Sequence, residues 1–270
     1  MLTRILSGVV LAVGIVAILL LAPPWVFGVV VAAALCVAAH EYRGIAHPQG
    51  DRVDFGVFLG ALLVASAWPA LHAVWPGYTQ TCALTLAAFA LAALHLFRPD
   101  PIEGRLGRLS ADALGLVYLG LTFPLVFLLR DRPNGEWIVL LTMAITFGQD
   151  TGAYFAGRFL GRHKLYEKIS PKKTIEGAVG GLVTAVGFAL AFRAYAPGLS
   201  DLTGADVALL GGGGAVLGMV GDLFESLLKR SSGVKDSGAL IPGHGGVLDR
   251  IDALLFVGPF VHLYLEHLGR

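Results

Sequence analysis

The sequence predicts an all-α, polytopic integral membrane protein with about nine transmembrane helices, its N-terminus cytoplasmic and its C-terminus outside. Three observations carry that prediction. Of 270 residues, 56% are apolar and only 14% are charged, against about 25% charged in a soluble domain. Mean hydropathy is +0.72. Glycine occurs 36 times, about twice its usual share, and membrane helices tolerate glycine better than soluble ones. These values exclude a soluble enzyme, a disordered chain and a disulfide scaffold. Cys36 and Cys82 lie in apolar stretches without metal-ligand or redox spacing and read as packing residues.

A helix needs about 20 apolar residues to cross the hydrocarbon core. Nine stretches qualify, at residues 5–22, 25–40, 55–72, 78–97, 111–129, 137–157, 176–196, 205–228 and 251–268. The first follows Arg4 as a signal peptide would. Its apolar run exceeds an h-region and lacks a clear cleavage site, so it reads as a retained span. Pro23-Pro24 separates the first two spans, and Trp75-Pro76-Gly77 the third from the fourth. Residues 1–130 form an N-terminal group of about five spans with room for lipid, and residues 131–270 form a C-terminal group that carries the chemistry.

The basic residues set the orientation. If sides alternate, one side holds Arg4, Arg43, Arg52, Arg98, Arg105, Arg108, the run from Arg158 to Lys173, Lys229, Arg230, Lys235 and Arg250. The other side holds Arg130, Arg132, Arg193 and Arg270. The crowded side is cytoplasmic by the positive-inside rule.

Ionisable groups within spans are costly, about 2.5–3.5 kcal/mol each on insertion scales, and so mark function. Asp150 precedes Arg158 by eight residues, which places it about 12 Å inside its helix end. Asp222 and Glu225 lie near the end of the eighth span, Glu176 starts the seventh, and Asp249 and Asp252 start the ninth. Acids from several spans thus meet one face of the membrane. Asp222, Glu225, Ser226 and Lys229 fall at i, i+3, i+4 and i+7, one helical stripe. Carboxylates without His or Cys partners suit a hard cation such as magnesium. The bases Lys164, Lys168, Lys172, Lys173, Lys229, Arg230, Lys235 and Arg250 stand among these acids. Carboxylates, metal and a basic wall together describe a site for phosphate groups.

Plainer readings stand beside these. The basic run alone is a positive-inside loop, and Asp150 alone is a buried acid satisfied by a neighbouring helix. The glycine pairs 148/152, 177/181 and 214/218 are helix-packing surfaces. The loop Pro242-Gly243-His244-Gly245-Gly246 could bring backbone N–H groups to an anion.

From Ser226 to Asp252 the chain reads Ser226-x2-Lys229-Arg230-x4-Lys235-Asp236-x-Gly238-x2-Ile241-Pro242-x-His244-Gly245-Gly246-x-Leu248-Asp249-Arg250-x-Asp252. This resembles the signature of the phosphatidate cytidylyltransferase (CDP-diacylglycerol synthase) family, without a gap. Asp150-Thr151-Gly152-Ala153-Tyr154 and Ser170-Pro171-Lys172-Lys173-Thr174-x-Glu176-Gly177 resemble the family too. The motifs cover residues from about 148 to 258, and roles in the N-terminal half stay open.

The resemblance implies an inner-membrane enzyme, multi-pass and often a homodimer, with its site facing the cytoplasm. It would join CTP and phosphatidate into CDP-diacylglycerol and pyrophosphate, with Mg2+ as cofactor and a second cation left open. Membrane lipids are its surroundings, and no nucleic acid is expected as a partner. Asp222, Asp249 and Asp252 are the expected metal ligands. Lys229, Arg230 and Arg250 join them as the catalytic group. Asp150, Lys172, Lys173, Glu176, Ser226, Lys235, Asp236, His244, Gly245 and Gly246 are expected to bind substrate. Two alternatives remain: transfer to a different lipid phosphate, and an ion-coupled transporter, whose acids would sit nearer the midplane.

Overall fold

The computed structural model describes residues 2–47, 52–97, 102–240 and 245–267, with side chains from residue 8 in the first helix and residue 54 in the third. The chain opens with α1 (Leu2–Leu21) and α2 (Pro24–Ala46). Pro24 stands in the first turn of α2, where its missing N–H costs nothing. Next come α3 (Arg52–Ser66), α4 (Trp68–Val74) and α5 (Gln80–Phe97). α3 and α4 meet at a bend of 53°, so the straight third span expected from sequence is broken. Pro69, in the first turn of α4, has no N–H with which to continue the helix through the break.

The fifth apolar stretch lies in one continuous helical run, α6 (Arg105–Gly115), a π-helical segment (Leu116–Leu121) and α7 (Thr122–Asp131). α8 (Gly135–Phe159) leads into a two-stranded antiparallel hairpin, β1 (Lys164–Tyr166) and β2 (Ser170–Thr174). Part of the basic run, Lys164, Lys172 and Lys173, is therefore ordered as sheet rather than loop, while Arg158 lies in the last turn of α8. α9 (Ile175–Tyr195) and α10 (Gly204–Ser231) follow, then the short α11 (Leu248–Ile251) and α12 (Leu254–His267). Among the described residues each of the nine expected stretches is largely helical, the third broken at Ala67 and the ninth interrupted at Asp252 and Ala253. Among the described residues five helical runs are long and apolar enough to cross a membrane, and the bent α3–α4 pair makes a sixth. The chain is thus a multi-pass membrane protein. With 14 residues, α12 is about 21 Å long, short of the ~30 Å hydrocarbon core.

Contacts sort the helix ends into two groups. At one end, Arg130 donates to the Leu19 carbonyl at 3.1 Å and pairs with Glu136 at 3.2 Å, while Arg132 pairs with Glu266 at 2.9 Å. The tails of α1, α7 and α12 and the head of α8 therefore meet there. At the other end, Asp112 of α6 binds His47, after α2, and His95 of α5, each at 2.8 Å. The tails of α8 and α10 and the heads of α9 and α11 share that second end with α2, through contacts described below.

Two apolar cores fill the interior, and each draws on residues from both sides of position 130. Glycine sets the closest spacings. A Cβ on Gly152 of α8 would collide with Thr184 and lie 2.7 Å from the Gly180 carbonyl oxygen of α9. On α10, Gly214 leaves room for Ile145 and Val257. The glycine pairs thus act in helix packing. A Gly152→Ala variant is expected to lose about 1–3 kcal/mol by overpacking, whereas Gly187→Ala, with open space around its Cβ, should be neutral. Thermal midpoints of the detergent-purified proteins check this.

Candidate active site

The site is built where α10 meets the turn between α11 and α12. A Cβ on Gly221 would sit 2.6 Å from the Asp252 carbonyl oxygen, so the bare backbone of α10 lets the Asp252 turn settle directly against it. The next residue on α10 is Asp222. Asp150 approaches from α8, so that Asp150, Asp222 and Asp252 lie within reach of one another's charge. Asp252 occupies the turn outside both helices and accepts a hydrogen bond from the Ala253 N–H at 2.8 Å. Burial, and then the neighbouring Asp222 carboxylate, push its carboxyl up to about 7. Three acids from three elements have been gathered at one place.

Cations answer them unequally. In β2 successive side chains alternate between faces: Lys172 is exposed, whereas Lys173 turns inward and pairs with Asp222 at 2.6 Å. Ser226, one turn on, donates to Asp222 at 3.5 Å. Lys229 is 8% exposed. It pairs with buried Glu225 on its own helix and with Asp249 at 2.6 Å across to α11. The other Asp249 oxygen accepts the N–H groups of Ser237 at 3.0 Å and Gly246 at 2.8 Å. Burial would raise the Asp249 carboxyl, but the hydrogen bonds from Lys229 and Gly246 outweigh it and hold the group down at about 2. Gly245 stands at φ +83° with its Cβ position 2.7 Å from the Asp249 carboxylate, a conformation and a clearance that favour glycine.

The remaining expected residues scatter. Glu176 turns back to its own hairpin, accepting from the Arg162 and His163 N–H groups at 3.0 and 3.2 Å and meeting the His163 ring at 2.6 Å. Arg230 is exposed and donates to the Val234 carbonyl at 2.9 Å. Lys235, Asp236 and Arg250 are exposed, and Arg250 acts electrostatically on Asp150. His244 lies outside the described residues.

Two further residues belong to this neighbourhood. Tyr118, in the π-helical segment, is buried against Phe224 and Phe256 at ring distances of 5.1 and 6.2 Å. Among the described residues its hydroxyl has no hydrogen-bond partner, and it lies in the field of Asp252, Glu225 and Asp222. Nothing local in the sequence marks it. Glu41 reaches Ser237, Val247 and Leu248 from α2. As an acid beside an apolar stretch it carried a signal, masked because the span was expected to end at residue 40.

Among the described residues no group of three or more His, Cys, Asp or Glu side chains forms a ready metal cage. Magnesium seldom has one, since it takes one or two carboxylates together with substrate phosphates and water. The donor chemistry fits that pattern. Asp222 and Asp252 offer carboxylate oxygens in a crowded, partly buried place, and Lys173 is the cation paired with Asp222. Asp249 fits less well, because Lys229 and two N–H groups already occupy it.

The model of the cytidylyltransferase family matches residues 2–268. A phosphatidate cytidylyltransferase of Haemophilus influenzae (strain ATCC 51907 / DSM 11121 / KW20 / Rd) is 32% identical over 277 residues, covering 95% of this chain and 96% of that protein. Proteins of the same name from Staphylococcus aureus (strain COL) and Bacillus subtilis (strain 168) are each 40% identical over 155 and 153 residues. Those two alignments cover 56% of this chain and little more than half of each relative, 57% and 56%.

Removing Lys229 would strand Glu225 and Asp249 as buried acids. Lys229→Met is expected to destabilise the protein by about 3–5 kcal/mol, the cost of breaking a buried ion pair from one side. Adding Glu225→Gln should recover part of that loss, and paired thermal melts in detergent measure it.

Proposed function

This chain belongs to the cytidylyltransferase family, and we propose that it transfers the cytidylyl group of CTP to phosphatidate, giving CDP-diacylglycerol and pyrophosphate. The observation that carries this reading is the meeting of Asp150, Asp222 and Asp252 with Lys173 at one end of a helical membrane bundle. Such a place suits a water-soluble polyanion presented to a lipid anion.

The second pKa of a phosphate monoester is near 6, so phosphatidate arrives largely ionised and needs no general base. Its oxygen attacks the α-phosphorus of CTP in line. The bond from that phosphorus to the β-phosphate bridging oxygen breaks, and its electrons leave with pyrophosphate. The chain's task is to bring two anions together. Lys173 can exchange Asp222 for a phosphate oxygen, while Lys172, Arg230, Lys235 and Arg250, all exposed, supply positive charge at the rim. Lys229 acts from within, keeping Asp249 and its loop in position. Asp222 and Asp252 would hold Mg2+, which when bound lowers the charge on the triphosphate and on the departing pyrophosphate.

The lipid fits beside the 237–240 segment. A cavity of about 710 Å³ opens there between α2 and α3, lined by Val37, Phe55, Leu59 and Leu240 together with Glu41 and Ser237. Alternation of the nine helical stretches is compatible with the two groups of helix ends, and the excess of Lys and Arg at the site end favours the cytoplasmic face of the cell membrane. A second copy of the chain is the remaining expected partner, and the detergent-corrected mass of the purified protein tests for it.

Detergent-purified protein given labelled CTP, phosphatidate and magnesium should form lipid-linked label and pyrophosphate, and EDTA should stop it. Product only with another lipid phosphate would change the acceptor; no transfer to any lipid would reject the reading. Asp222→Asn should lower turnover by about a hundredfold or more, as losses of transition-state charge stabilisation do, with an unchanged thermal midpoint. Near-normal turnover in that variant would remove Asp222 from the metal site.

A further inference from the structure

We infer that Glu41 is a positioning residue for this reaction, holding Ser237, Val247 and Leu248, and through them Asp249, from the N-terminal half of the chain. The inference rests on the cytidylyl-transfer reading for its kinetic consequence, though its geometry stands apart from that reading.

α2 continues to Ala46, which carries Glu41 into the helix and leaves it 6% exposed. A buried carboxylate must be answered by charge or by hydrogen bonds. Among the described residues no cation pairs with Glu41; three hydrogen bonds from the loop answer it instead. Oε1 accepts the Val247 N–H at 2.9 Å. Oε2 accepts the Leu248 N–H at 2.8 Å and the Ser237 hydroxyl at 3.1 Å. All three donors are about 200 positions away along the chain.

Asp249 holds the same two stretches of chain, through the N–H groups of Ser237 and Gly246. Ser237 is thus bound twice, its amide to Asp249 and its hydroxyl to Glu41. Gly246 gives its N–H to Asp249, while the next two N–H groups go to Glu41. Two carboxylates therefore clasp the same two stretches of chain, at Ser237 and at residues 246–248. If either lets go, Asp249 loses the frame that aligns it with Lys229, three residues from Asp252.

Close approach explains two glycines of the signature. A Cβ on Gly238 would stand 2.6 Å from Glu41 Oε1, and one on Gly246 would stand 2.5 Å from Glu41 Oε2. The space that a side chain would take is already filled by the Glu41 carboxylate. Both oxygens must be acceptors, because each faces an N–H. A glutamine of the same shape would set its amide NH2 against one of those N–H groups and break the clasp.

The test compares wild type, Glu41→Gln, Glu41→Asp and Ser237→Ala, all as detergent-purified full-length protein. Readouts are kcat, KM for CTP, thermal midpoint and hydrogen exchange of the amides at 245–249. Glu41→Gln should lower kcat by about tenfold or more, as small misplacements of catalytic groups do. The KM for CTP should change far less, and exchange at Val247 and Leu248 should quicken without a matching fall in the midpoint. Glu41→Asp, which keeps two acceptor oxygens, should regain part of kcat. Unchanged exchange at 247 and 248 in Glu41→Gln overturns the inference, whatever kcat does, and so does unchanged kcat. Should Glu41→Gln not fold, Ser237→Ala decides: quicker exchange with a smaller fall in kcat supports the clasp, and no change in either overturns it. If wild type transfers no cytidylyl group to any lipid, the functional reading fails, while the exchange comparison still decides whether Glu41 holds the loop.

Discussion

Lys229 sits between Glu225 on its own helix and Asp249 across the turn, and the placement of the site follows from that contact. In a poorly solvated place, two acids and one amine are held together because any one of them alone would be costly. With Asp249 tied to α10, the turn after α11 cannot drift, and the bare backbone at Gly221 lets Asp252 settle beside Asp222. Ser237 and Gly246 give their N–H groups to the same carboxylate. A single buried ammonium thus organises one helix, one turn and one loop.

The two ends of the bundle use charge in different ways. At one end, Arg130 and Arg132 bind neighbouring carbonyls and carboxylates, stitching α1, α7, α8 and α12 together. At the other, Lys173 answers Asp222 while Asp150 and Asp252 stand close by. That end is short of positive charge at its centre and ringed by exposed bases. On the proposed reading, a metal–nucleotide complex would bring both a cation for the carboxylates and phosphates for the bases.

Much of this was legible in residue order. The i, i+3, i+7 stripe on α10 was visible because helical geometry places such residues on one face, and Lys229 does meet Glu225 there. Even so, the stripe hid a division of labour. Asp222 pairs with Lys173 of the hairpin, whereas Glu225 and Lys229 turn to α11. Spacing along a helix says which side chains share a face, not which partners other elements bring to it. Lys172 and Lys173 were equivalent as letters; β alternation sent one outward and one to Asp222. Glu176 stood in a motif beside them, yet two backbone N–H groups of the preceding loop claimed its carboxylate.

The amino-acid sequence by itself determined that this is an apolar helical membrane protein with its acids and bases crowded toward one end. Hydropathy and charge are sums over neighbouring residues, so they can be read without coordinates. The break at Ala67, the hairpin in the basic run, and the reach of Glu41 and Tyr118 into the site were decided by the tertiary structure alone. Each depends on which distant backbone donors, glycine gaps or aromatic rings arrive at the same place. That information lies in close contacts between elements up to 200 residues apart, where no local pattern records it.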